Sequence, residues 1–348
     1  MEPLAVVTRD SYVESIHYGY ICVVNTSGQV LYNLGDYNTK IFLRSSAKPL
    51  QAIPLIKSGA AQEFNFSKKE IAIACASHSG QKVHRETVEK ILIKLGLNES
   101  NLHCGIMTPY NDEEHKRLIA SGISPSPFHC SCSGKHSAML ALAKFRGYNI
   151  DDYESIENPL QQEVLKTVAE FTDEDADSIP TGIDGCGAPI YLMSMNKIAL
   201  SYARLIMHMH NQNSPYHHAC KTIFNSMTQF PEMVAGENEF CTVLMQATGD
   251  KLIGKVGSEA VYCLGIKEGS LGICIKIADG NERAIYPIVV HTLKELGILS
   301  NNEFNSLEQW YNPVIKNNLN EEVGEILPAF SLNLKSQKLL SIGVKYQQ

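Results

Sequence analysis

The stretch FCTVLMQATGDKLIGKVGSEAVYCLGIKEGSLGICIKI, residues 240–277, is a train of short apolar runs. Turn residues at Gly249-Asp250 and Lys267-Glu268-Gly269 separate the runs, and Asp279-Gly280 closes the train. Runs of this length between glycine turns predict an antiparallel meander. The opposite end of the chain reads similarly. From Leu4 to Leu34 apolar and polar residues alternate, most clearly in YICVV at 20–24, and the chain turns at Asn25–Gly28 before Val30-Leu31, which predicts a β-hairpin. Strands at both ends around a helical block at about 84–230 predict an α+β architecture. In it the terminal strands join one antiparallel sheet, and residues 1–348 form a single unit.

Working inward, Ser45 to Gly59 carries Leu50, Ile53 and Ile56 with Ala47 and Ala52, the pattern of a buried helix. Pro49 suits a helix start, whereas Pro54 predicts a kink. EIAIACAS at 70–77 is an apolar run of small residues ending in the polar cluster His78-Ser79-Gly80. Helices are predicted at 84–95, at 133–145 stopping at Gly147, at 159–171 with Asn158 as N-cap and Pro159 in the first turn, and at 195–210, 216–227 and 284–299.

With 348 residues, 44% hydrophobic and 19% charged, the chain has enough apolar material for a large core. The net charge of -7, the pI near 6.0 and scattered basic residues give no footprint for nucleic acid. No window approaches the ~18 apolar residues of a membrane span, and no basic segment followed by an apolar one opens the chain. These features predict a cytoplasmic protein acting on a small molecule. Ten cysteines without an export signal read as thiols or metal ligands rather than disulfides. Cys22, Cys75, Cys263 and Cys274 fall in apolar, strand-like runs that suit buried free thiols.

The tetrapeptide Ser45-Ser46-Ala47-Lys48 sets a serine and a lysine three apart at a helix start, on one face. The spacing alone says little, since Ser79 with Lys82 and Ser194 with Lys197 repeat it, and the ordinary reading is an exposed pair on a helix. Context raises the first instance: it opens an apolar helix, and Lys255-Val256-Gly257 lies in the meander far downstream. S-x-x-K with a later K-T-G lines an acyl-transfer cleft in penicillin-recognising enzymes. A serine needs a base, and a lysine with a reference pKa near 10.4 is one only when burial or a second amine disfavours its charge. Ser77, at the end of its run, is a hydroxyl relay or alternative nucleophile; alone, Ser77–Gly80 reads as a turn.

A second constellation is CSCSGKH at 130–136 with DGCG at 184–187, two glycine-bearing loops carrying thiols. Two cysteines with His136 or Asp184 could hold zinc, but no C-x-x-C spacing supports it, so structural thiols are the default.

Taken together, VESIH (13–17), RSSAKP (44–49), CASHS (75–79), CSGKH (132–136), DGC (184–186), PEMVAGE (231–237), GKVG (254–257) and KIADGN (276–281) resemble the asparaginase II family, nearly end to end. That family is distinct from the threonine-dependent asparaginases and is structurally similar to serine β-lactamases and glutaminases. The resemblance implies two serine–lysine pairs, Ser45 with Lys48 and Ser77 with Lys255. It also implies a zinc site using Cys132, Lys135 and Cys186, with Asp184 beside it to orient a bound water or the substrate, and a homodimer. A lysine ligand must be neutral, so the cation would have to depress its pKa. One departure stands out: where the family usually continues with glycine and arginine, this chain has Asn238 and Glu239.

The activity implied is hydrolysis of L-asparagine to aspartate and ammonia. Ser45 is the expected nucleophile, Lys48 its base and Arg44 a partner for the substrate carboxylate. Backbone N–H groups at Ser45 and near Lys255 are the expected oxyanion donors. The rival readings are a glutaminase or another acyl-serine hydrolase and, in a different class, a zinc-binding module without activity.

Overall fold

The computed structural model describes residues 1–332. The strands are β1 (Glu2–Arg9), β2 (Tyr12–Val24), β3 (Val30–Leu34), β4 (Lys40–Phe42), β5 (Thr181–Ile183), β6 (Pro189–Ser194), β7 (Leu252–Gly257), β8 (Val261–Ile266), β9 (Leu271–Ile277), β10 (Val314–Lys316) and β11 (Glu322–Pro328). Eight of them make one sheet in the order β10-β11-β1-β2-β9-β8-β7, with β3 also on β2, while β4-β6-β5 form a second, small sheet. Every pairing is antiparallel. The fold is α+β, and the chain ends meet in one sheet at the β2–β9 pair, where Cys22 opposes Cys274.

Burial explains why the central strands do not alternate. All six residues of β8 are buried, which requires cover on both faces of the sheet. The helices Met195–His210 and Ile285–Glu295 both pack on β8 and β9. Gly272 of β9 permits the closest approach: a Cβ there would lie 1.8 Å from the Ala199 carbonyl oxygen of the first helix. Alanine at 272 would force that helix off the sheet.

Three local readings differ from the sequence pattern. Residues Phe240–Thr248 are a helix, not the first strand of the meander. Its β-branched and aromatic content suggested a strand, but its buried residues, Phe240, Cys241, Thr242, Leu244, Met245 and Thr248, include an i, i+3, i+4, i+7 stripe starting at Cys241. The block at 84–230 is not wholly helical, because β5 and β6 lie within it. Cys75 is the C-cap of helix Lys68–Ala74 rather than part of a strand; the capping box of Ser67 and Glu70 commits that run to helix.

The prolines of the 45–59 segment act as expected. A 3₁₀ turn (Arg44–Ala47) leads into Lys48–Gln51 with Pro49 in its first turn, and the chain breaks at Ala52 before Ile53–Lys57, which Pro54 opens. All ten cysteines are buried free thiols. Among the described residues no helix is long and apolar enough to cross a membrane.

Candidate active site

Two lysines that the sequence places two hundred residues apart end on one hydroxyl. Lys48 enters from the first turn of Lys48–Gln51, and Lys255 from the middle of β7. Ser77 follows the end of helix Lys68–Ala74 and is pinned by its own N–H to the Val234 carbonyl at 2.9 Å. The Ser77 Oγ lies 3.0 Å from Lys48 Nζ and 2.8 Å from Lys255 Nζ. Both amines are almost wholly buried, at 1% and 0% exposure, whereas Ser77 is half-buried and opens onto a cavity.

The proton inventory of the cluster is informative. Lys48 donates to the Ala76 carbonyl at 2.6 Å and Lys255 to that of Val256 at 2.8 Å. Burial pushes the pKa of Lys255 down to about 7, assisted by the charge of Lys48, although nearby thiols, Cys241 first, act against it. A neutral Lys255 accepts the Ser77 O–H while still donating to Val256, and Lys48 donates to the same oxygen. This arrangement gives each amine two partners and aims a lone pair at a serine proton.

The expected partnership of Ser45 with Lys48 is not formed: among the described residues neither lysine is hydrogen-bonded to Ser45. The reason is the demand of a buried ammonium for acceptors, which Ala76 and Ser77 meet in the interior. Ser45 nonetheless lines the same cavity, of about 350 Å³, as Ser77. Gly257, at the end of edge strand β7, faces its turn, with an added Cβ reaching within 3.2 Å of Ser46 N. The Ser45 N–H has no backbone partner among the described residues. The other two serine–lysine spacings are ordinary: Ser79 bonds Gln81 and Lys82 pairs with Glu86, while Ser194 bonds Asn196 and Lys197 reaches Asp173.

The thiol loops also converge. Donor atoms of Cys132, Asp184 and Cys186 lie within 4.8 Å of one another. Lys135 Nζ donates to Cys186 Sγ at 3.0 Å, and it is 3% exposed. Burial opposes the charge on Lys135, but the sulfurs of Cys132 and Cys186 outweigh it and hold its pKa above the ordinary value. Two thiols, an amine and a carboxylate are a donor set that could hold a metal ion, and sulfur with nitrogen suits zinc. His136, the other ligand considered, turns away: its Nδ1 meets the Tyr153 hydroxyl at 2.6 Å. Arg44 is held by Asp184, at 3.1 Å from Nε and 3.0 Å from Nη2 to Oδ1. Two candidate substrate contacts thus form one ion pair beside the thiols.

Glu239 stood out in the sequence by its departure and Ser131 by its place among the thiols. Tyr110, Glu282 and Tyr286 also line the cavity; no motif or spacing marked them, because a cavity wall gathered from distant segments leaves no periodic trace.

A hydroxyl held by two buried amines at the edge of a cavity is an arrangement that can activate a nucleophile. The chain belongs to the L-asparaginase II family, whose model matches residues 5–328. A search of curated proteins gives no match. Among solved structures it is similar to a protein from Bacteroides dorei DSM 17855 provisionally assigned as a beta-lactamase, with 14% identity, 78% of this chain and 92% of that one covered, and a TM-score of 0.44. A beta-lactamase from Mycobacterium bovis has 13% identity, 76% and 88% coverage and a TM-score of 0.38. Neither likeness bears on the chemistry.

Proposed function

We propose that this protein hydrolyses the side-chain amide of L-asparagine through a serine acyl-enzyme, acting, as the family likeness implies, as a cytoplasmic homodimer. The observation that carries the reading is the Ser77 hydroxyl between two buried amines, one of them with a pKa near neutrality. Ser77 Oγ attacks the amide carbon as its proton passes to Lys255. The same proton then goes to the leaving nitrogen, and ammonia departs. Water, deprotonated by Lys255, attacks the resulting ester, and aspartate leaves with Ser77 restored. Lys48, donating to Ser77, steadies the developing negative charge.

A second assignment within this reading makes Ser45 the attacking group and Ser77 its proton carrier. It is favoured by the Ser45 N–H, which has no backbone partner among the described residues and lies opposite the edge of β7, where an oxyanion donor is needed.

The Cys132, Lys135 and Cys186 side chains, with Asp184, are the residues that would hold zinc. Bound there, the cation would supply a Lewis acid beside Arg44 and Asp184. Ordering that ion pair, and through it the substrate's orientation, is the work of this chain's own residues.

The test is ammonia release from asparagine, from glutamine and from neither substrate's control, with Ser77→Ala and Ser45→Ala compared and the acylated peptide identified by mass spectrometry. Loss of turnover by roughly 10³-fold or more is expected for Ser77→Ala, by analogy with other catalytic nucleophiles. An aspartyl adduct on Ser45 would select the second assignment, and no ammonia from any amide would overturn the reading.

A further inference from the structure

The cavity that holds Ser77 is lined by several hydroxyls, three aromatic rings and, as its only formally charged side chains among the described residues, two carboxylates, Glu239 and Glu282. No lysine or arginine lines it; Lys48 and Lys255 are spent on Ser77, and Arg44 on Asp184. Such a wall repels an anionic substrate end and attracts a cationic one.

The two carboxylates come from different elements. Glu239 is the N-cap residue of helix Phe240–Thr248, yet its side chain caps nothing. Glu282 opens the 3₁₀ turn Glu282–Ala284 that follows β9, at the exposed rim. Neither side chain makes a hydrogen bond or ion pair among the described residues. Burial holds the Glu239 carboxyl above its ordinary pKa, with Asp112 and Glu282 adding to it. Burial likewise raises Glu282, Glu259 adds to it, and Lys255 partly offsets it. Two carboxylates that feel each other across a cavity are each relieved by a cation placed between them.

An independent feature points to a ligand at the same place. Ser131 is 8% exposed and lines the cavity, and its hydroxyl meets only the Cys132 sulfur, at 4.0 Å, among the described residues. A buried hydroxyl without a good partner costs free energy that a ligand's polar group recovers. The rings of Tyr110, Phe240 and Tyr286 complete the wall, and aromatic faces attract ammonium groups.

We propose that Glu239 and Glu282, with Ser131, recognise the ammonium group of the substrate and restrict the cavity to amides that carry a free amine. The proposal rests on the amide-hydrolase reading above and sharpens it to a substrate class. Asparagine qualifies; succinamate, the same amide without the amine, does not. N-acylated asparagine is excluded for the same reason.

The experiment compares kcat/KM for asparagine and succinamate in the wild type, in Glu239→Gln and in the Glu239→Gln/Glu282→Gln double variant, with circular dichroism to confirm folding. A charge-assisted hydrogen bond corresponds to a roughly 10- to 100-fold preference for asparagine. That preference should shrink in the single variant and fall to within about threefold in the double one. A wild-type preference that the double variant keeps undiminished, or no wild-type preference at all, would overturn the proposal. Calorimetric binding of asparagine and succinamate to the same proteins decides the question without turnover. If the wild type hydrolyses neither amide yet binds asparagine with a preference that the glutamines erase, the hydrolase reading fails and the recognition stands; equal binding of the two overturns the recognition.

Discussion

Lys255 and Lys135 are both buried, within one molecule, and their charges are driven in opposite directions. Burial acts alike on each, against the ammonium form. Around Lys255 burial dominates, Lys48 works with it and the thiols of Cys241, Cys132 and Cys75 only partly offset it, and the pKa falls to about 7. Around Lys135 the neighbours are the sulfurs of Cys132 and Cys186 and the carboxylate of Asp184, and the pKa rises. Desolvation therefore makes a lysine a base only where the groups it faces do not outweigh it, as they do at Lys135. The first environment prepares an amine to take a proton from a hydroxyl, and the second gathers donors for a cation.

The sharpest way to break this contrast is to remove the amine from the first site. Lys255→Met keeps the length and apolar stem and should lower kcat by about 10²- to 10⁴-fold, the usual contribution of a general base. In the wild type, kcat/KM should rise with pH through about 7 as Lys255 loses its proton, and the variant's residual rate should lack that limb. The stability sign follows from linkage. Folded Lys255 binds its proton less tightly than the unfolded chain does, so between about 7 and the ordinary lysine value the unfolded state holds more protons. Its contribution thus becomes more favourable as pH rises through that window, and Lys255→Met should flatten the dependence in urea melts at pH 7 and 9. A pH–rate profile unchanged in the variant would return Lys255 to a structural role.

The second site is tested by its donors. Zinc titrated into metal-free protein should bind at one site per chain, and Cys132→Ser or Cys186→Ser should abolish it. At a hundredfold excess over Kd, binding stabilises the folded state by about 2.7 kcal/mol, which denaturant melts resolve. Chelation should leave Ser77 and its amines intact, so a zinc-free protein that folds and still acylates would show that the ion is not needed for the attack at Ser77. Equal binding to wild type and both serine variants would place the metal elsewhere.

The two regions also differ in how well the sequence announced them. The outer architecture was legible because periodicity and turns carry it: β2 with β3, and β7 to β9, fall where the glycine-punctuated apolar runs lie. Helix Phe240–Thr248 was hidden because a buried helix rich in threonine, valine and phenylalanine imitates a strand. The thiol site was legible only through family likeness, since its candidate ligands sit at the start of helix Ser133–Arg146 and on a loop about fifty residues on, without metal-binding spacing. At the amine site the sequence singled out Lys48, Ser77 and Lys255, but their partnership depends on where a buried ammonium finds carbonyl oxygens. The Ala76 acceptor lies in another segment, which no spacing between Ser45 and Lys48 reports.

The smallest effect separates the frame of the first site from its chemistry. Ser67 caps helix Lys68–Ala74, accepting from the Glu70 N–H at 3.3 Å while the Glu70 carboxylate accepts from the Ser67 N–H at 2.6 Å. That helix delivers Ser77 to the amines. Ser67→Ala removes half of the box and should cost about 1 kcal/mol in urea denaturation. Glu70 keeps its bond to the Ser67 N–H and its contact with Lys94 at 2.7 Å, so the helix start stays anchored. The Val234 carbonyl, not the cap, fixes the backbone at Ser77. Stability should therefore fall while kcat and its pH profile hold; a parallel loss of kcat would mean that the helix start itself sets the geometry of the hydroxyl between the two lysines.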